Sequence, residues 1–282
     1  MLMIEKERID VLLVQQGYFP TREKAKAAIM AGIVYLESER IDKPGVKVDI
    51  SKEITVKGNT HPYVGRGGLK LEKALAAFAL NIEGVTMIDI GASTGGFTDC
   101  ALQKGASYVY AVDVGYGQLD WKLRSDPRVI VLERTNFRYL EKNVLTVGSP
   151  NFASIDVSFI SLKLIFPKLS EIFASGGHVV ALIKPQFEAG KDAVGKKGIV
   201  RDPSVHKQVI EETINAAGKY HFQLQDLTYS PITGGDGNIE FLALFTFEPQ
   251  SAIDERTDAI EASDHSQKIE QLVAEAHNNF LQ

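Results

Sequence analysis

The sequence predicts an α/β chain: a mostly parallel sheet covered on both faces by helices, ending in an antiparallel hairpin and preceded by a small α+β unit. Three observations carry this expectation. From Val85 onward, apolar runs rich in β-branched residues alternate with helical stretches, the pattern of a sheet buried on both faces. The last two runs, Phe222–Tyr229 and Phe241–Phe247, have no helix between them, which predicts an antiparallel pair at one sheet end. The first 60 residues instead read as two helices and short strands, set apart by the glycine-rich stretch GNTHPYVGRGG at 58–68. The expected organisation is a unit at 1–60, a linker or hinge at 61–68, a second unit at 69–248, and an acidic tail at 249–282.

In the first unit, helices are expected over Glu5–Gln16 and Thr21–Ala31. Thr21 is a good N-cap, Ala25, Ala28 and Ile29 share one face, and Gly32 ends the second helix. Lys43-Pro44-Gly45 marks a turn between short strands. Arg22 and Lys26 lie four apart, off the apolar stripe, and by charge pattern alone form a solvated face. After the linker, Leu71, Ala74, Leu75 and Phe78 recur at helical spacing. Strands follow at Thr86–Ile90, Tyr108–Val112, Val129–Leu132, Phe152–Ile155 and Val179–Ile183, before the two of the hairpin. Helices are expected around Phe97–Lys104, Leu162–Phe173 and Ser204–Lys219. The tail ends in an amphipathic helix with Ile269, Leu272, Val273, Ala276 and Phe280 on one side, suited to docking on the body or on a partner.

Composition narrows the functional classes. The 282 residues are 44% hydrophobic and 24% charged, ordinary for a globular chain of about two domains. The lone Cys100 excludes a disulfide framework and a cysteine-rich zinc site, and the six histidines lack metal-ligand spacing, so no metal is expected. No apolar run approaches the ~18 residues of a membrane span. The start, MLMIEKERID, carries charges where a signal peptide needs its apolar core, so a cytoplasmic protein with no membrane role is expected. The net charge of −5 is misleading: residues 249–282 hold seven acids against Arg256 and Lys268, so everything before them is neutral overall. A nucleic-acid partner therefore needs a local basic face. Oligomeric state has no sequence signal.

In an open α/β sheet, ligands bind beyond the carboxyl ends of the strands. The first such loop reads Asp89-Ile90-Gly91-Ala92-Ser93-Thr94-Gly95-Gly96-Phe97. A glycine-rich turn between strand and helix brings a ligand close to backbone N–H groups. Its spacing is not G-x-G-x-x-G, and Asp89 would repel a pyrophosphate, so a nucleotide without phosphates fits better. The next strand ends at Asp113, 22 residues past Gly91, where a carboxylate can take both hydroxyls of a ribose. Strand, glycine turn, helix, strand and acid together make the layout expected for S-adenosylmethionine. The later strand ends offer Asn136, then Asp156, then Lys184, which closes the buried run VVALI and is followed by Pro185. Glu240 opens the final strand after the loop TGGDGN, and Lys70 lies in the first turn of the helix after the linker. Two lysines and two acids thus fall around the expected methyl-donor site.

These motifs carry a resemblance. DIGASTGGFTDC, AVDVGYGQL, ERTNFR, IDVSFISL, LIKPQFE and GGDGNIEFL, in this order, resemble the TlyA family, often labelled hemolysins. The stretch RIDVLLVQQGYFPTREKAKAAIMAGIVYL resembles an S4 domain. The similarity runs to about Glu248, and no family motif covers the tail. It implies an S4-type RNA-binding domain followed by a Rossmann-like, FtsJ-type methyltransferase domain. It further implies S-adenosylmethionine-dependent 2′-O-methylation of cytidine in ribosomal RNA, in the small or large subunit or both. The implied catalytic tetrad is Lys70, Asp156, Lys184 and Glu240, with no departure at these positions. The implied cofactor site is Asp89, Gly91, Ser93, Thr94, Gly95, Gly96, Phe97, Asp113, Asn136 and Asp156. RNA contact is then expected from Arg8, Arg22, Lys26, Arg66, Lys191, Lys196, Lys197 and Arg201.

The chemistry has reasons of its own. A ribose 2′-hydroxyl is a poor nucleophile at neutral pH and needs a base or a close acceptor in line with the sulfonium. A free lysine, with a pKa of about 10.4, is protonated, and a nearby cation or burial favours its neutral form while a carboxylate opposes it. Lys184 is expected as the base, delivered by its strand, held by Pro185 and oriented by Asp156. Lys70 is expected to favour the neutral amine, and Glu240 to position Lys70 or the ribose. The Gly65-Arg66-Gly67-Gly68 segment is expected to couple RNA docking to Lys70. The rival readings are a catalytically silent RNA-binding adaptor, which the complete tetrad disfavours, and a membrane-lytic protein, for which only the C-terminal helix is a candidate.

Overall fold

The computed structural model describes residues 6–19, 21–57, 61–173, 176–190, 193–195, 198–234, 237–248 and 258–281, with side chains from 265 onward in the last stretch. The chain divides into two compact units between Arg66 and Gly67, within the segment expected as a linker.

The first unit holds β1 (Lys6–Arg8), α1 (Ile9–Gln15), α2 (Arg22–Met30), β2 (Val34–Leu36), β3 (Glu39–Arg40), β4 (Lys47–Asp49) and β5 (Ile54–Val56). β1 pairs antiparallel with β4, and β3, β2 and β5 form a three-stranded sheet in that order. The helix expected over Glu5–Gln16 is thus shorter, because Lys6–Arg8 extends to meet Lys47–Asp49 and the Ile9 amide donates to the Val46 carbonyl at 2.9 Å. Ile9, Leu13, Ala25, Ile29 and Val34 are fully buried and make the core. The Thr21 hydroxyl caps α2 by accepting from the Lys24 amide at 3.3 Å, and Gly32 leaves the helix at φ +73°.

The second unit opens with α3 (Gly68–Ala77) and then alternates: β6 (Thr86–Ile90), α4 (Gly96–Gln103), β7 (Tyr108–Val112), α5 (Trp121–Arg124), β8 (Val129–Leu132) and β9 (Phe152–Ile155). It continues with α6 (Phe166–Ile172), β10 (Gly177–Ile183), α7 (Pro185–Glu188), α8 (Pro203–Gly218), β11 (Phe222–Tyr229), β12 (Phe241–Phe247) and α9 (Asp258–Phe280). The seven strands lie in the order β11-β12-β10-β9-β6-β7-β8. β10, β9, β6, β7 and β8 run parallel, while β12 inserts antiparallel between β10 and β11. Strand order reverses at β6, with β7 on one side and β9 on the other, so the crevice for a ligand falls at its carboxyl end. The stretch expected as one helix over Leu162–Phe173 is split, a 3-10 turn at Leu162–Leu164 preceding α6. Pro167 explains the break, since it lacks the N–H a continuous helix would need there.

The core lies between sheet and helices, with Ile88, Tyr110, Ala153, Phe166, Val179 and Phe245 fully buried. α9 docks on this body: Ile269, Leu272, Val273 and Ala276 join the core and Phe280 packs at its edge against Tyr229. Burying each such large side chain contributes roughly 1.5–3 kcal/mol, which fastens the described part of α9 to the body. Among the described residues, no helix is long and apolar enough to cross a membrane.

Candidate active site

The loop from Gly91 to Gly96 turns back over the end of β7: the amides of Gly91 and Ala92 both donate to the Val112 carbonyl, at 2.9 and 3.0 Å. Gly91 has φ +91°, and a Cβ there would lie 2.5 Å from the Asp156 carbonyl oxygen. Only glycine lets the ends of β6 and β9 approach so closely. Ser93 also adopts a left-handed conformation at φ +49°, a strained choice for a side chain of its type. This bend aims its amide at Asp113 Oδ2, at 2.8 Å, while the Gly115 amide donates to Oδ1 at 2.6 Å. Two backbone amides therefore fix the half-buried Asp113 carboxylate at the mouth of the crevice.

The residues expected to hold a nucleoside separate into two sets. Gly91, Ser93, Thr94, Gly95 and Asp113 come together, with Ser93 and Thr94 exposed. Gly96 and Phe97 are buried at the start of α4. Asp89 lies inside the fold. Its Oδ2 accepts from the Thr98 hydroxyl at 2.7 Å and its Oδ1 from the Ser154 hydroxyl at 2.8 Å, so it pins β6 to α4 and β9. Burial pushes its carboxyl up to about 6 against those hydrogen bonds. Asn136 caps its own 3-10 turn, its side-chain oxygen accepting from the Arg138 amide at 3.2 Å. The set facing the crevice consists of acceptors and backbone donors, without a basic side chain. It suits a ribose diol and a cationic sulfonium, and a phosphate poorly.

Beside the turn lie the four charges. Lys184 ends β10 and caps α7, where Pro185 fits the first helical position without an N–H. Its amine lies 2.5 Å from Asp156 Oδ1 and donates to the Ser158 hydroxyl at 3.0 Å. Lys70, in the first turn of α3, donates to Glu240 Oε2 at 2.7 Å and lies 3.7 Å from Asp156 Oδ2. Side-chain exposures of 9% for Lys70, 8% for Lys184, 3% for Glu240 and 19% for Asp156 show how little solvent screens the group. Burial alone would raise the Asp156 carboxyl, but Lys70 and Lys184 outweigh it and hold the group below the usual carboxylate range.

Three further residues lie within the motifs LIKPQFE and GGDGNIEFL, but the sequence assigns them no role. Asn238 accepts from the Val200 amide and donates to the Gly198 carbonyl, both at 3.0 Å, tying the segment 198–200 to the one that leads into Glu240. Glu188 accepts from the Ser161 hydroxyl at 2.5 Å and the Leu162 amide at 2.7 Å, joining α7 to the loop that carries Ser158. A Cβ at Gly234 would lie 2.6 Å from Glu240 Oε1, so any side chain there would displace the Glu240 carboxylate.

Of the residues expected to meet RNA, Arg8 and Arg22 both pair with Asp10 and stay 43% and 47% exposed. Lys26 and Arg66 are half-buried and Arg201 is exposed. Lys191, Lys196 and Lys197 lie outside the described residues. Among the described residues, no cluster of histidine, cysteine or acidic side chains is arranged to hold a metal.

Comparison with known proteins places these features in a family. An S4 domain matches residues 7–54 and an FtsJ-like methyltransferase matches residues 63–247. YqxC of Bacillus subtilis, a proposed rRNA methyltransferase, is 61% identical over 84% of this chain and 85% of its own. The 16S/23S rRNA (cytidine-2′-O)-methyltransferase TlyA of Mycobacterium tuberculosis is 40% identical over 85% of this chain and 89% of its own. A solved structure of a proposed hemolysin from Streptococcus thermophilus is 53% identical, covers 98% of both chains and superposes with a TM-score of 0.75. The chain belongs to the TlyA family, in which an S4 domain precedes an FtsJ-like methyltransferase domain.

Proposed function

We propose that this protein transfers a methyl group from S-adenosylmethionine to the 2′-hydroxyl of a cytidine ribose in ribosomal RNA. The observation that carries the reading is the Asp156 carboxylate held between Lys70 and Lys184, next to the glycine turn. The name of the mycobacterial relative supplies the substrate class, and the S4 domain supports an RNA partner. Such a substrate places the reaction in the cytoplasm, where ribosomes are.

The bound cofactor supplies an electrophilic methyl on a sulfonium. Asp113, fixed by the Ser93 and Gly115 amides, would take the ribose hydroxyls of that cofactor, beside the backbone of 91–95. Lys184, as the neutral amine, would meet the target hydroxyl and take its proton as that oxygen accepts the methyl group. Asp156 fixes the Lys184 amine in position, and Ser158 gives it a second anchor. Glu240 holds Lys70 at 2.7 Å, so that Lys70 faces Asp156 as an already paired cation. Placing hydroxyl and methyl in line itself lowers the barrier, by up to ~7–11 kcal/mol for the best-oriented pairs. Arg8, Arg22, Lys26, Arg66, Lys191, Lys196, Lys197 and Arg201 hold the RNA through its phosphates, which makes affinity fall steeply with salt.

A membrane-lytic activity has less support, because Ile269, Leu272, Val273 and Ala276 of α9 are buried against the body rather than free for lipid. The test is transfer of radiolabel from S-adenosylmethionine to unmodified small and large subunits in separate tubes, followed by nuclease digestion. Label on ribose in either subunit is expected. Label on a base, or none with cofactor shown to bind, contradicts the reading.

A further inference from the structure

Asp10 is a fully buried acid in the first unit that the methyl-transfer chemistry does not use. Its side chain is wholly inaccessible, yet two arginines reach it from different elements. Arg8, at the end of β1, makes a two-pronged contact, Nε to Oδ1 at 3.0 Å and a terminal nitrogen to Oδ2 at 3.1 Å. Arg22, at the start of α2, donates to the same Oδ2 at 2.8 Å. Hydrogen bonding from Arg8 leads the effects that hold the Asp10 carboxyl down at about 2, so it is an anion at any working pH. Each guanidinium has five N–H donors in a fixed plane, and Asp10 occupies only the inner ones. The outer edges remain for a ligand, consistent with exposures of 43% and 47%. The Arg8 guanidinium is further backed by Gly45, where an added Cβ would stand 3.8 Å from it.

Two neighbouring guanidinium groups repel each other, and long arginine side chains lose rotamer entropy when ordered. A shared carboxylate removes the repulsion and orders both side chains before RNA arrives. We propose that Asp10 is a positioning residue for RNA binding, holding the Arg8 and Arg22 forks side by side to grip adjacent phosphates; this rests on the reading of those arginines as RNA contacts. The proposal has an unusual sign. Asp10 is itself negative, so as a bare charge it weakens attraction to RNA, and its removal would strengthen binding. As a positioning group, its removal weakens binding.

The test measures affinity of the full chain for unmodified ribosomal subunits over a range of salt concentrations. Asp10→Asn is expected to bind about tenfold more weakly, the loss of roughly one well-aligned charge-assisted contact, despite its extra net positive charge. Asp10→Glu, which restores the carboxylate, is expected to recover part of that loss. Arg8→Lys keeps the charge but not the fork; it is expected to weaken binding several-fold while leaving the salt dependence close to wild type. That variant also decides the matter should Asp10→Asn fail to fold. Asp10→Asn binding as tightly as wild type or tighter, alongside weakened Arg8→Ala, overturns the positioning role and leaves the RNA reading intact. Arg8→Lys binding like wild type overturns it as well. Arg8→Ala and Arg22→Ala both without effect overturn the proposal together with the RNA contacts beneath it.

Discussion

The Lys184 amine lies 2.5 Å from Asp156 Oδ1, and the other oxygen of that carboxylate faces Lys70 at 3.7 Å. One acid therefore sets the position of both lysines, with Glu240 closing the group behind Lys70 at 2.7 Å. Lys70 and Lys184 thus share the Asp156 carboxylate, and Glu240 pairs with Lys70, where solvent barely reaches. Removing one partner of such a pair exposes the others to its absence, at a typical ~3–5 kcal/mol.

Asp156→Asn removes the shared charge while keeping the shape. Turnover is expected to fall by about 100-fold or more as the Lys184 amine loses its anchor, a loss typical of a misplaced reacting group. Unfolding free energy should drop by about 3 kcal/mol, since the two lysines then face each other across an uncharged amide. Single-turnover transfer and denaturant unfolding of the same sample check both.

Gly91→Ala tests the approach of β6 to β9. The added methyl meets the Asp156 carbonyl at 2.5 Å at a φ of +91° that alanine resists. Cofactor affinity and turnover should therefore fall together, each by about tenfold or more, with stability lowered by at least ~1 kcal/mol. Cofactor titration by calorimetry provides the measurement, and unchanged affinity would remove Gly91 from the site.

Much of this was legible in the chain. Runs such as Met87-Ile88 and Val179-Val180-Ala181-Leu182-Ile183 read as buried strands, because a sheet covered on both faces leaves no polar alternation. Asp156 and Lys184 could be placed at strand ends because each directly follows such a run, and the structure puts both just past the carboxyl ends of their strands. The inward role of Asp89 was not: it sits among buried positions in β6, and only the Thr98 and Ser154 hydroxyls, 9 and 65 residues away, show what it binds. The capping role of Asn136 was missed because a cap and a ligand contact use the same residue type. The roles of Glu188 and Asp10 were not legible, since Ser161 and Leu162, and Arg22, reach them only through the fold. The strand at Lys6–Arg8 escaped because its partner, Lys47–Asp49, lies some forty residues on.

Asp89 gives a pH signature. Its folded carboxyl is raised by burial to about 6 from an ordinary value of 3.8. A raised acid contributes its stabilisation fully below the unfolded value and loses it as pH rises through the folded one. Stability attributable to Asp89 should therefore decline between about pH 4 and 6. Asp89→Asn, whose amide can donate to a hydroxyl, is expected to flatten that decline. Unfolding midpoints across this range measure it.

The pair joining α8 to α9 has the opposite sign. His206 Nδ1 lies 2.9 Å from His277 Nε2, and His206 Nε2 lies 3.2 Å from the Val200 carbonyl. Burial, followed by the neighbouring His277, lowers His206 to about 4 from 6.5. A depressed base contributes stability above its unfolded value and loses it as pH falls through the folded one. The second unit should lose stability as pH falls from about 6.5 to 4, with α9 loosening first. Hydrogen exchange in α9 across that range is the check, and in His206→Gln the pH dependence should shrink.

The most direct measurement pairs two readouts on Lys184→Ala: calorimetric titration with S-adenosylmethionine and methyl transfer to unmodified ribosomal subunits. Cofactor affinity within about threefold of wild type, with transfer to ribose reduced by about 1,000-fold or more, is the predicted result, consistent with loss of a general base and of its positioning. Transfer retained, or cofactor binding lost in equal measure, would contradict the role assigned to Lys184.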